Sequence, residues 1–331
     1  MKCIEFDKVG PPTDVLRCVE RDIPTPGPGE VLVRMLASPV NPSDLMFING
    51  TYGLQPEVPQ IPGFEGVGVV ESSGGGLRGR LFQGKRVAVL NRSGGNWAEF
   101  SCVPAEQVIP LSSSLSVEQA ATFFVNPATA WIMTQEVLAV PRGAWLLQTA
   151  AASSLGRMVV RLGVEMGFRT LNVLRRPQQG DQLKALGATE VLVYDANGDN
   201  EEEFLSRVAA VTNGDGVRYA VDCVGGATGS AVVRAMARGG RMLVYGTLSE
   251  RPIQFSSREL MTKNATVEGF WLGNFMAQKN LLFKLRLVRR MTRLIKSGVL
   301  STNVAQQFSL DAINEAVIAS PADGKTLLSI A

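Results

Sequence analysis

The stretch Trp145-Leu-Leu-Gln-Thr-Ala-Ala-Ala-Ser-Ser-Leu-Gly156 constrains this chain more than any other. Leu146 and Leu147 end a short apolar run, Ala150 to Gly156 are small residues apart from Leu155, and Arg157 to Met166 read as an amphipathic helix. A strand, a small-residue turn and a helix present free backbone N–H groups and a helix N-terminus to a phosphate. Ser153 and Ser154 stand where glycines are commoner, but small hydroxyl residues still allow close approach and can donate to phosphate oxygens. Leu155 and Gly156 complete the turn. Taken alone, such a turn is also a common tight connection between strand and helix.

The next segment of the chain narrows the choice. Thr170-Leu-Asn-Val-Leu174 reads as a second strand, bounded by Gly167 and Pro177, and runs directly into Arg175-Arg176. A site for NAD places an acidic residue there, roughly 20 residues past the glycine turn, to hold the ribose 2′-hydroxyl. Two guanidiniums suit a 2′-phosphate instead, gripped by forked, charge-assisted hydrogen bonds. The competing reading is a solvated arginine pair at a strand end. Turn and pair together predict NADPH as the cofactor.

Composition excludes more than it assigns. The 331 residues suffice for two domains with substantial cores. The net charge of +3 gives no argument for nucleic acid, and no uninterrupted apolar run reaches the length of a membrane span. The N-terminus has acids from its fifth residue and no apolar signal core, so export is not expected. Cys3, Cys18, Cys102 and Cys223 form no pair motif, as expected for reduced thiols in a cytoplasmic protein. The chain contains no histidine, which removes Ser-His-Asp and Cys-His mechanisms and any His-ligated metal. No metal site is expected.

Residues 1–120 are rich in β-branched residues, Gly and Pro. Candidate strands at 30–36, 66–71, 86–90 and 97–103 predict a compact, barrel-like β domain. Ser72-Ser-Gly-Gly-Gly76 comes after a strand, but a phosphate loop is not expected there because no helix is predicted next. From Ser116 the pattern changes, with helices around 117–124 and 129–138. Strands at 145–149, 170–174, 191–194, 219–223 and 241–245 then alternate with helices at 155–166, 181–186, 201–211 and 228–237. That rhythm predicts an α/β fold with a parallel, doubly wound sheet. A further strand is expected at 266–272, a long helix near 276–297, and a returning strand at 325–330.

In motif order the chain resembles the medium-chain dehydrogenase/reductase superfamily over essentially its whole length. Its N-terminal part is similar to the GroES-like domain and its middle to the Rossmann domain of that superfamily. Within it, the zinc-independent branch is the nearest match, particularly the mitochondrial-type trans-2-enoyl-thioester reductases. The match is carried by Val40-Asn-Pro-Ser-Asp44, Asn49-Gly-Thr-Tyr-Gly53, Val125-Asn-Pro-Ala-Thr-Ala130, Asp222-Cys-Val-Gly-Gly226, Arg238-Gly-Gly240, Tyr245-Gly-Thr-Leu248 and Gly269-Phe-Trp-Leu272. Several of these are shared with quinone oxidoreductases of the zeta-crystallin type.

The resemblance implies a GroES-like domain at 1–120, completed by 274–331, and an NADP(H)-binding Rossmann domain at 121–273. It implies that Tyr52 donates a proton or a hydrogen bond, with Trp271 in the substrate pocket. Asn126, Tyr245, Gly246, Thr247, Leu248, Phe270, Trp271, Leu272 and Lys325 would lie on the cofactor side, and Cys223 is read as a packing residue. The expected activity is NADPH-dependent reduction of activated C=C bonds, foremost in trans-2-enoyl thioesters, with quinone reduction as the alternative. A homodimer paired through the strands around Tyr245 and Phe270 is also implied. The missing mitochondrial leader fits a cytoplasmic enzyme.

The stretch Gln278 to Lys296 carries seven basic residues and no acidic one. It is either a solvated basic face or a contact for the phosphates of coenzyme A or for an acidic acyl carrier protein. An RNA-binding or structural role for the chain has only this helix in its favour.

Overall fold

The computed structural model describes residues 1–319 and 324–330; the rest of the C-terminal tail lies outside them. The first third of the chain forms β1 (Lys2–Glu5), β2 (Arg17–Glu20), β3 (Glu30–Pro39), β4 (Glu65–Ser73), β5 (Arg86–Leu90), β6 (Phe100–Pro104) and β7 (Val108–Pro110). Then come β8 (Trp145–Gln148), β9 (Arg169–Leu174), β10 (Glu190–Val193), β11 (Val217–Asp222), β12 (Met236–Val244) and β13 (Thr266–Gly269). β14 (Val304–Phe308) and β15 (Lys325–Ser329) are the last strands of the described chain. Two compact units result: Met1–Val125 joined by the chain from Thr302 onward, and Asn126–Ser301. Residues 274–301, expected in the first domain, therefore cluster with the second.

The first unit is built on a seven-stranded sheet ordered β14-β15-β3-β4-β5-β7, with β6 also pairing β3. β3 is long enough to be shared. Ala37 to Pro39 pair β15, Glu30 to Arg34 pair β6, and β4 lies against Val31 to Ala37. β1 and β2 form a separate antiparallel hairpin. Aromatic residues fill the space behind it, with Phe47 packed edge-on to both Phe6 and Phe64. β1, β2, β7 and β14 were not expected, because short, mixed-exposure strands carry little alternating pattern. The Ser72–Gly76 reading also needs correction, because a helix, Leu77–Phe82, does come after that turn.

The second unit is a six-stranded parallel sheet ordered β10-β9-β8-β11-β12-β13. The chain starts at β8, moves outward to β10, then returns to β11 on the other side of β8. β8 and β11 therefore flank the point where strand order reverses, the place where such sheets bind ligands. Leu147, Leu171, Val173, Leu192, Val217 and Ala220 are buried in the core, as the near-continuous apolar runs of parallel strands require.

The helix after the turn spans Ser154–Met166 and stops at Gly167, which caps it at φ +80°. Two predicted elements are shorter than expected. Asn280 caps a helix of its own at Leu281–Lys296, its side chain accepting the Phe283 N–H at 2.9 Å, so the predicted 276–297 helix is preceded by a separate one at Leu272–Ala277. The strand predicted at 266–272 ends at Gly269. No described helix is long and apolar enough to cross a membrane.

Candidate functional site

In the second unit the C-terminal ends of the strands carry the nucleotide signals. After β8 the backbone turns through Ala150, which holds a left-handed φ of +48° where glycine would sit without strain. Sequence reading placed the departure from a glycine turn at Ser153 and Ser154 and missed this one. Ser153 is the helix cap: its hydroxyl accepts the Gly156 N–H at 3.1 Å, which leaves its own proton to donate outward. Gly156 must be glycine, since a Cβ there would run into the Ala151 carbonyl.

Beneath the turn, Gln148 donates to Gly156 O at 3.0 Å and to Asn172 Oδ1 at 2.7 Å, locking β8, β9 and the helix together. Arg175 and Arg176 leave β9 exposed, and among the described residues neither is paired with a carboxylate. A helix start with an outward hydroxyl, two available guanidiniums and no acid at the β9 end suit NADP(H).

A second feature at the reversal point was not anticipated. Thr149, just past β8, donates its hydroxyl to the buried Asp222 carboxylate at the end of β11 and accepts the Cys223 N–H at 3.2 Å. Asp222 also accepts the N–H groups of Val224 (3.1 Å) and Gly225 (2.9 Å). This side-chain bridge ties the two strand ends that flank the expected crevice. Burial pushes the Cys223 thiol up to about 12, which suits an inert packing residue.

Tyr245 to Leu248 come after β12, so close to the neighbouring strand end that a Cβ on Gly246 would sit 3.0 Å from Cys223 Cβ. The Tyr245 hydroxyl lies buried against the Cys223 thiol without a well-formed hydrogen bond. Phe270, Trp271 and Leu272 come after β13. Trp271 is not a core residue on a strand: it is 43 % exposed and precedes the Leu272–Ala277 helix. Asn126 lies in the first turn of the helix Val125–Trp131.

In the first unit the helix Pro42–Ile48 leads into the Tyr52 loop. The N–H of Tyr52 donates to Met46 O at 3.1 Å, and its ring lies 5.5 Å from that of Phe64. Burial, and secondarily the nearby Asp44 charge, raise the phenol's pKa. Asp44 is fully buried, accepting the N–H groups of Asn41 (2.8 Å) and Phe64 (3.0 Å), and burial pushes it up to about 6. Glu65, also buried, accepts the N–H groups of Phe124 (2.7 Å) and Val125 (2.8 Å) and is pushed by burial up to about 7. Lys325, at the start of β15, supplies the compensating charge and is itself held below its ordinary value by burial. The sequence singled out Tyr52 and Lys325 but not the two carboxylates, although Asp44 closes the Asn-Pro-Ser-Asp segment.

These buried carboxylates make stability depend on pH. Glu65's folded value of about 7 exceeds its unfolded 4.5, so folding retains a proton. The resulting stabilisation is complete below pH 4.5 and is lost as the pH rises through about 7. From pH 5 to 7 Glu65 alone is expected to remove about 2 kcal/mol. Urea unfolding at both pH values should show a loss about 2 kcal/mol larger in the parent than in Glu65→Gln, which keeps the smaller contribution of Asp44; equal pH dependence in the two proteins would contradict it.

A GroES-like β unit and a doubly wound sheet with an NADP(H)-type turn define a two-unit nucleotide-dependent oxidoreductase fold. Family models agree on both parts: the alcohol dehydrogenase GroES-like domain matches residues 27–113, and the zinc-binding dehydrogenase model matches 154–286. The human mitochondrial enoyl-(acyl-carrier-protein) reductase is 31 % identical, over 97 % of this chain and 85 % of its own length. A solved Bacillus thuringiensis structure, assigned as an NADPH:quinone reductase, superposes with a TM-score of 0.90 at 31 % identity, covering 100 % of this chain and 99 % of its own. The complex of Etr1p with NADP and crotonyl-CoA does so with a TM-score of 0.83 at 26 % identity, over 99 % of each chain. The chain belongs to the medium-chain dehydrogenase/reductase superfamily. Despite the second model's name, no group of three or more Cys, Asp or Glu among the described residues could hold a metal ion.

Proposed function

We propose that this protein reduces trans-2-enoyl thioesters with NADPH. The coarser statement, an NADPH-dependent oxidoreductase acting on a small molecule, rests on the superfamily, on relatives that reduce enoyl groups or quinones, and on the turn and arginine pair. The thioester reading is carried by Tyr52, a half-buried phenol whose raised pKa keeps it a protonated donor at neutral pH. When bound, NADPH supplies the hydride that adds to the β-carbon of the acceptor. Charge then develops on the thioester oxygen, where the Tyr52 hydroxyl donates a hydrogen bond and helps deliver the proton that completes reduction.

Arg175 and Arg176 would hold the 2′-phosphate, while Ser153, Ser154, Leu155 and Gly156 would cradle the pyrophosphate. Asn126, Tyr245 to Leu248 and Phe270 to Leu272 line the nicotinamide half. Replacing both arginines by alanine is expected to raise the KM for NADPH by about 10- to 100-fold, the loss of two charge-assisted contacts, and to leave the KM for NADH within about twofold. Equal effects on both cofactors would remove the 2′-phosphate role.

The exposed arginines of Leu281–Lys296, among them Arg286, Arg289 and Arg293, suit the phosphates of coenzyme A or an acidic acyl carrier protein. β13 is an edge strand of its sheet, which supports pairing into a homodimer; sedimentation velocity at micromolar concentration tests this.

NADPH oxidation monitored with crotonyl-CoA, a longer trans-2-enoyl-CoA and 1,4-benzoquinone tests the function. Turnover of the thioesters is expected. Turnover of the quinone alone would favour the second reading, an NADPH:quinone oxidoreductase, which the Bacillus thuringiensis neighbour supports.

A further inference from the structure

Asn41 is 3 % exposed, and its side-chain Nδ2 is buried with no hydrogen-bond partner among the described residues. A buried amide N–H without an acceptor is costly, and folds retain such groups mainly where water or a ligand satisfies them. The placement of this donor is informative. The N–H of Asn41 is fixed by one oxygen of Asp44 at 2.8 Å, while the other oxygen of Asp44 fixes the N–H of Phe64 at 3.0 Å. The Tyr52 ring packs on Phe64, and Asp44 is the charge that Tyr52 feels. Asp44 thus fixes Asn41 directly and, through the Phe64 backbone, the residue whose ring supports Tyr52, so one carboxylate links the helix cap to the loop that comes after the helix.

We infer that the Asn41 side-chain amide donates a hydrogen bond to the carbonyl oxygen of the acceptor substrate, as a second donor alongside Tyr52. The inference rests on the carbonyl-conjugated acceptor of the proposed function and assigns it a residue with no previous role. An amide suits the task because it donates without ever becoming charged, so its contribution is independent of pH. A preorganised donor of this kind acts mainly on the transition state, where the oxygen carries more negative charge than in the bound substrate.

The test compares Asn41→Ser and Asn41→Ala with the parent. Serine keeps an oxygen able to cap the helix, while its shorter hydroxyl cannot reach the position held by the amide N–H, which separates loss of that donor from loss of the fold. With crotonyl-CoA both variants should lose kcat by about 100-fold, the usual scale for one oxyanion donor. The KM for NADPH should stay within about twofold, and Tm should be unchanged or raised in Asn41→Ser because no protein hydrogen bond to Nδ2 is lost.

A kcat within threefold of the parent would overturn the inference while leaving thioester reduction intact. A rise in the NADPH KM at unchanged kcat would overturn it too, assigning the amide to the carboxamide oxygen of the nicotinamide. If the parent reduces only 1,4-benzoquinone, the thioester reading falls; a 100-fold loss of quinone turnover in the variants would then support the donor role on a quinone oxygen, and its absence would overturn it. Failure of the parent to reduce either acceptor would overturn both readings.

Discussion

Replacing Tyr52 by phenylalanine is expected to lower kcat for crotonyl-CoA by about 100- to 10,000-fold, the range for removal of a positioned proton donor. The ring contact with Phe64 survives the change, because only the hydroxyl is lost. Binding of NADPH and the unfolding midpoint should therefore be nearly unaffected, and the loss should appear in single-turnover rates as well as in kcat. The parent phenol stays protonated well above neutrality, so its activity should show no Tyr52-dependent fall between pH 6 and 8. Turnover of Tyr52→Phe within a few-fold of the parent would leave Tyr52 a packing residue and would move the weight of proton delivery elsewhere.

The second large effect is on stability. Lys325→Met leaves Asp44 and Glu65 buried without their compensating cation, and should cost about 3–5 kcal/mol at pH 8, the scale for breaking a buried charge pair from one side. At pH 5 the carboxyls can take up protons, so the cost should shrink. Combining Lys325→Met with Glu65→Gln removes one charge of each sign and should recover more than half of the loss. Urea unfolding at the two pH values provides the measurement. If Lys325 instead serves mainly the cofactor, Lys325→Met would raise the KM for NADPH at unchanged unfolding free energy.

The nucleotide signals of the second unit can be read in the sequence because they are local. A turn, a cap and the residues just past one strand lie within a single strand–helix–strand stretch. The helix at Glu201–Val211 was placed to the residue for the same reason, since Asn200 caps it and three glutamates fill its first turn. Tyr52 is singled out only through the resemblance. Asp44, Glu65 and Lys325 come from distant parts of the chain, and their burial together is decided by strand pairing rather than by neighbours in sequence. Asn41 belongs to the Asn-Pro-Ser-Asp segment but cannot be distinguished in sequence from an ordinary helix cap, because an unmet hydrogen bond is a property of the packed structure. Trp271 misled for a related reason: a β-branched and aromatic run continues past Gly269, and what ends the strand there is the turn into the next helix.

The arrangement of β3 also bears on how the protein is made. One edge of that strand is shared by β6, translated soon after it, and by β15, translated only after the whole second unit. The second unit is continuous in sequence, so every strand of its sheet is made before β14 and β15. The first unit is not, and Ala37 to Pro39 wait with open backbone groups until β15 is made. Premature termination anywhere after Ser301 would therefore release a chain with a finished nucleotide-binding sheet and a sticky, half-closed partner.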